Sequence, residues 1–202
     1  MEDASVPPES DEYWRAYGAQ VARGNFDFGI WERHGVPPGV EIDYDRRVII
    51  VGRPMSHFEV GKTVYFERTF RDEDREAHAA ESWDHNPFHL FPEFCAQTRF
   101  ERPIMHGVLV GTMICVFGGD IYPGPACLAR TMHFEFCNPV YPGDRVLAEE
   151  RVTEIDEAKG RVRFEFTFWK DTEDGRVNVL DGWFIGIPMQ VEVPFPEGFT
   201  RF

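Results

Sequence analysis

The chain has 202 residues, 43% of them hydrophobic and 15% aromatic, which suits one packed domain with extensions and excludes a wholly disordered chain. Its formal net charge of -14 repels nucleic-acid phosphates and anionic membranes, so neither is expected as a partner. The apolar run from Val108 to Phe117 is too short to span a bilayer, and the acidic first residues lack a basic-then-apolar leader pattern, so a cytoplasmic protein is expected.

Residues 1–60 read as an irregular, acidic and aromatic extension. Within it, Asp11–Val21 is predicted as a short helix with Tyr13, Trp14 and Tyr17 on one side. Phe26, Phe28 and Trp31 are expected to pack over the main body, and Val48–Val51 reads as a short strand. The main body is expected over 61–188 and a tail lying against the surface over 189–202.

The body opens with a strand, Thr63–Phe70, rich in β-branched and aromatic residues. Asp72–Trp83 reads as a helix with acidic residues in its first turn and alanines inside, and Asn86-Pro87 ends it. Pro92–Thr98 is predicted as another helical turn. Residues 105–117 are apolar on every side, which predicts a long helix buried all round and stopped by Gly118-Gly119. Four strands follow, over 127–137, 145–155, 161–169 and 177–187, with hairpins at Glu157–Gly160 and Asp174-Gly175. In the third, Val162, Phe164, Phe166 and Phe168 alternate with polar residues and should face inward. The order predicts an α+β fold, an antiparallel sheet wrapped around one helix. Cys95, Cys115, Cys127 and Cys137 show no paired spacing and read as reduced core thiols.

The chemistry concentrates between Asp84 and Gly107. Asp84 and His89 would point about 140° apart on a continuous helix. Pro87 breaks the helix, so the segment can curl and bring a carboxylate and an imidazole to one water as an acid/base pair. The bland alternative is that Asp84 caps a turn and His89 packs at the surface. His85 and His89 have metal-ligand spacing only on a helix that Pro87 forbids, and no third ligand cluster is evident, so no metal is expected. His106-Gly107 opens the buried helix, where a first-turn N–H lacks an internal partner and glycine lets a ligand approach. His34, His57, His78 and His133 have no comparable company and read as surface or structural.

The pattern Asp84-x-Asn86-Pro87-x-His89, followed by Phe100-Glu101-Arg102-Pro103-Ile104-x-His106-Gly107, resembles the MaoC-like hot dog family, which includes (R)-specific enoyl-CoA hydratases. Pro142-Gly143-Asp144 is similar to that family's turn before a strand, and the resemblance covers residues 61–188. It implies a hot dog fold that dimerises through sheet edges. It implies that Asp84 and His89 hold the catalytic water, that Gly107 gives the oxyanion N–H, and that Asn86, Pro87 and His106 support them. The family's helix often carries a serine bonded to the catalytic aspartate; counting from His106 the place falls to Cys115, with Thr112 as a substitute. The substrate implied is an enoyl or 3-hydroxyacyl thioester of coenzyme A or of an acyl carrier protein, with no cofactor beyond the phosphopantetheine of the substrate. In so acidic a chain, Arg99, Arg102 and Arg130 are the expected receivers of the carrier's phosphates. Two rival readings remain. A hot dog thioesterase would place a carboxylate on the central helix, which has none between Met105 and Phe117. A non-catalytic assembly subunit would not need Asp84, His89 and Gly107 together.

Overall fold

Phenylalanine at every second position builds the central strands. A pleated strand sends alternate side chains to one face, and Val162, Phe164, Phe166 and Phe168 all lie buried on that face in the computed structural model of the protein. The structure describes residues 36, 38–197 and 199. The helix expected over Asp11–Val21, the aromatic residues Phe26, Phe28 and Trp31, and His34 lie outside the described residues.

In chain order, β1 (Val40–Asp43) and β2 (Val48–Gly52) precede β3 (Thr63–Thr69) and helix α1 (Asp72–Ser82). Two single turns, α2 (Pro87–Leu90) and α3 (Pro92–Cys95), lead to α4 (Gly107–Gly111) and α5 (Met113–Gly119). Then come β4 (Cys127–Phe136), β5 (Arg145–Asp156), β6 (Arg161–Thr172), β7 (Gly175–Pro188) and β8 (Gln190–Pro194). Five strands form one antiparallel sheet in the order β3-β5-β6-β7-β4. Its inner face closes on α4 and α5: Phe66, Val146, Phe164, Phe168 and Leu180 share one core with Val110, Met113, Ile114 and Phe117. Each fully buried Phe or Leu of this kind contributes about 1.5–3 kcal/mol through apolar burial.

The central helix departs from expectation in two ways. It is two segments joined at Thr112, whose hydroxyl bonds back to the Leu109 carbonyl at 2.6 Å. Such back-bonding competes with the helical ladder and bends it. Nor is it buried all round. Val108 is 59% exposed, and Cys115 and Gly119 are also exposed. These positions recur at helical spacing and form one stripe that the sheet of a single protomer does not cover. Of the four cysteines only Cys95 is buried; Cys115 lies on the uncovered stripe and Cys137 just past the edge strand β4. The reading of all four as core thiols is therefore corrected.

Two glycines let β4 approach the helix. A Cβ on Gly107 would sit 2.9 Å from the Phe136 ring, and one on Gly111 would sit 3.3 Å from Phe134. The tail also departs from expectation. Gln190–Pro194 is a strand that pairs with β2 and completes a three-stranded sheet, β1-β2-β8, over a small core around Ile49.

One inward position breaks the apolar pattern. Glu150 on β5 stands opposite Phe166, between Ala148 and Val152, and is 1% exposed. Neither carboxyl oxygen has a hydrogen-bond partner among the described residues. Burial therefore pushes its pKa well above the ordinary value of 4.5 and holds it protonated. A carboxyl with a raised folded pKa stabilises the fold fully below the unfolded value, and that stability is lost as pH climbs toward the folded value. One such group gives a slope of at most about 1.4 kcal/mol per pH unit. Glu150→Gln is expected to flatten the decline of the urea midpoint between pH 5 and pH 8; an unchanged decline would place the titrating group elsewhere.

Candidate active site

α1 ends because Trp83 takes the left-handed conformation, φ 60° and ψ 22°, and turns the chain outward. Two nested side-chain turns then reverse it. An Asp84 carboxylate oxygen accepts the Asn86 N–H at 3.0 Å, and the Asn86 side-chain oxygen accepts the Phe88 N–H at 3.2 Å. Asn86 thereby caps α2, with Pro87 at its first position, where a missing N–H costs nothing. Pro87 was expected only to end a helix; it also starts one. The turn carries His89 back toward Asp84.

The second half of the site comes from the segment before α4. Met105 N–H bonds the Val140 carbonyl at 2.8 Å, and Ile104 N–H bonds the Phe88 carbonyl at 3.1 Å. These place His106, 2% exposed, beneath His89: their rings stack 3.8 Å apart with a 30° interplanar angle. Polar side-chain atoms of Asp84, His89 and His106 all lie within 4.8 Å of one another.

The tautomers follow from the partners. A carbonyl only accepts, so His89 Nδ1 must donate to the Ile104 carbonyl, 2.9 Å away, which makes Nε2 the lone-pair nitrogen of the neutral tautomer. His106 Nε2 must donate to the Asp84 backbone carbonyl at 3.2 Å, leaving a lone pair on Nδ1, which is buried without a partner among the described residues. Burial lowers the pKa of His106 and keeps it neutral, while the Asn86 N–H, donating to the Asp84 carboxylate, holds that carboxyl below its ordinary value. Asp84 is thus ionised at neutral pH beside the neutral His106 ring, and the His89 ring lies stacked on the latter, so a carboxylate able to act as a general base stands next to an imidazole able to hold a water.

Asp84, His89 and His106 also supply the third metal ligand that sequence reasoning found missing.

Gly107 adjoins His106 and lies in the first turn of α4, where helical bonding offers its N–H no partner. The structure does not bring every expected residue to the site. The Thr112 hydroxyl is engaged with Leu109, Cys115 faces outward, and the hydrogen bond found at the Asp84 carboxylate comes from the Asn86 N–H. Within one protomer neither reaches Asp84: the back-bond holds the Thr112 hydroxyl on its own helix, and Cys115 lies on the uncovered stripe. Arg102 lies over the Tyr141 ring at 4.4 Å and Arg99 over Phe100 at 4.8 Å, on the strip leading to His106, while Arg130 is exposed on β4. His78 was read as having no company, yet its ring meets His106 edge-on at 4.8 Å. Sequence reasoning also passed over Arg75, a buried residue of α1 that donates to the His89 carbonyl. The signal for both was their place on the helix that leads into Asp84.

The fold is a hot dog, an antiparallel sheet wrapped around a helix, and beside the start of that helix it presents an exposed carboxylate next to two imidazoles, a candidate acid/base site. Comparison with known proteins agrees. A family model described as "MaoC like domain" matches residues 56–171, which span the whole site. The (R)-specific enoyl-CoA hydratase of Aeromonas caviae is 40% identical over 101 residues, covering 50% of this chain and 75% of that protein. A mitochondrial 3-hydroxyacyl-[acyl-carrier-protein] dehydratase of Arabidopsis thaliana is 31% identical, covering 61% of this chain and 74% of the relative. The solved (R)-hydratase of A. caviae superposes with a TM-score of 0.59 at 32% identity, over 64% of this chain and 96% of that one. The chain belongs to the MaoC-like domain family.

Gly107→Ala would place a methyl against the Phe136 ring. It is expected to destabilise the fold by about 1–3 kcal/mol, as overpacking does, with Phe136→Leu recovering most of the loss. Thermal unfolding of the single and double variants checks this; an additive double variant would dissociate the two positions.

Proposed function

We propose that the protein catalyses reversible addition of water to a trans-2-enoyl thioester, giving a 3-hydroxyacyl thioester. The carrier is coenzyme A or an acyl carrier protein, as the names of the relatives suggest, and its phosphopantetheine enters as part of the substrate. The observation that carries this reading is the meeting of Asp84, His89 and His106 within 4.8 Å beside the helix that begins at Gly107.

In this reading one O–H of the water points to the Asp84 carboxylate and the other to the His89 Nε2 lone pair. Asp84 takes the first proton as the water oxygen bonds to C3. Negative charge then grows on the thioester oxygen, where the Gly107 N–H receives it. The proton held by Asp84 passes to C2 on the same face, because one pair of groups serves both transfers. Arg99, Arg102 and Arg130 draw the anionic carrier toward an otherwise acidic surface. The rival hydrolytic reading calls for a carboxylate on the central helix, and Gly107–Gly119 carries none.

The functional unit in this proposal is a pair of chains. β4 is an edge strand with Leu128, Met132 and Phe136 exposed, and Val108 is exposed beside it on α4. An uncovered apolar edge favours pairing with a second copy. Among the described residues no helix is long and apolar enough to cross a membrane. A cytoplasmic location is supported by four unpaired cysteines, which suit a reducing compartment.

Asp84→Asn keeps the shape of the site and removes its base, so the rate is expected to fall by about 10²–10⁴-fold, and His89→Ala likewise. Loss of enoyl absorbance from crotonyl and longer thioesters measures this, with circular dichroism as the folding control. A folded Asp84→Asn protein as fast as wild type would sink the assignment. Sedimentation is expected to give twice the chain mass of 23.4 kDa; a monomer at micromolar concentration would refute the pairing.

A further inference from the structure

A helix of one turn satisfies almost none of its own carbonyls, so they must find donors elsewhere. In α2 they do. The Pro87 carbonyl receives the Phe91 N–H at 3.1 Å and the Phe88 carbonyl receives the Ile104 N–H at 3.1 Å, with the buried Cys95 thiol 3.4 Å from both. The His89 carbonyl receives one arm of the Arg75 guanidinium. The other arm donates to Asp72 at 2.6 Å, while Nε has no partner among the described residues.

Arg75 is 9% exposed, and Asp72, its ionic partner, has a side chain 61% exposed. A guanidinium taken out of water beside a largely solvated carboxylate recovers only part of its desolvation cost. Stability alone is a weak reason for an arginine at this place. Geometry supplies a better one. Arg75 fixes the His89 backbone from α1, and the Ile104 carbonyl fixes the His89 ring from the opposite segment. Held at both points, the imidazole has one orientation, with Nε2 turned away from Ile104 and free to hold water.

We propose that Arg75 is a positioning residue for the reaction, acting through the His89 carbonyl to keep the imidazole oriented beside Asp84. This rests on the hydratase reading. A misplacement of about 1 Å at a reacting group costs on the order of 10²-fold in rate. Arg75→Gln is therefore expected to lower kcat by about 10- to 100-fold while KM changes by less than about threefold. Arg75→Lys keeps a cation for the carbonyl and is expected to fall between, and it serves as the folded variant should the glutamine protein unfold.

The decisive measurement is a cycle with His89→Ala. If Arg75 acts through His89, Arg75→Gln lowers kcat no further once the imidazole is gone, although its effect on the melting temperature persists. A full multiplicative loss in both backgrounds would overturn the proposal and make Arg75 a packing residue. A second readout needs no turnover. Long-range ¹H–¹⁵N spectra of the His89 ring are expected to show one Nδ1–H tautomer in the wild type and a mixture in Arg75→Gln. An unchanged ring spectrum would count against the proposal even if the wild-type protein hydrated no enoyl thioester, an outcome that by itself would remove only the hydratase reading.

Discussion

The site depends on how the chain enters α4. Met105 is tied to Val140 at the mouth of β5, and Gly107 lies directly under the Phe136 ring, so the backbone between them has one path. His106 occupies that path. From there its ring supports His89 by stacking and its Nε2–H holds the Asp84 backbone. Three residues from three segments thus refer to one fixed point, and the side chains of the candidate site are tied through it to a sheet–helix contact. A site built on such elements is held more closely than one built on loops alone.

Three of the four buried polar side chains among the described residues fall into two kinds. His106 and Arg75 lie at the site, and each spends at least one hydrogen bond on a backbone carbonyl, that of Asp84 for His106 and that of His89 for Arg75. Glu150 lies in the sheet interior and has no such bond among the described residues. The first kind costs desolvation and returns orientation. The second costs desolvation and persists because a carboxyl can stay protonated in an apolar setting.

The surface expresses the same logic. Net charge -14 keeps the chain apart from other polyanions, yet the apolar stripe of α4–α5 and the free edge of β4 stand side by side and uncovered.

The amino-acid sequence by itself did not determine the sheet order, in which β4 lies at the edge beside β7 and β3 lies beside β5. It did determine the period-two aromatic faces, the succession of elements along the body, the glycine that opens α4, and the Asp84–His89 and His106-Gly107 pairs. Each is a local pattern, readable because side-chain spacing maps directly onto a strand face or a turn. Only the tertiary structure decided that His106 stacks on His89, that Arg75 and His78 on α1 reach the site, and that Thr112 turns its hydroxyl to its own helix. It also decided that Val108 and Cys115 stay uncovered and that the tail joins β2. These depend on contacts between segments far apart in the chain: 14 residues between Arg75 and His89, and 22 between Asp84 and His106. Composition and periodicity carry no record of such distances. A histidine on a helix looks the same in sequence whether its ring meets solvent or another imidazole; only the packing of α1 against the segment before α4 distinguishes the two.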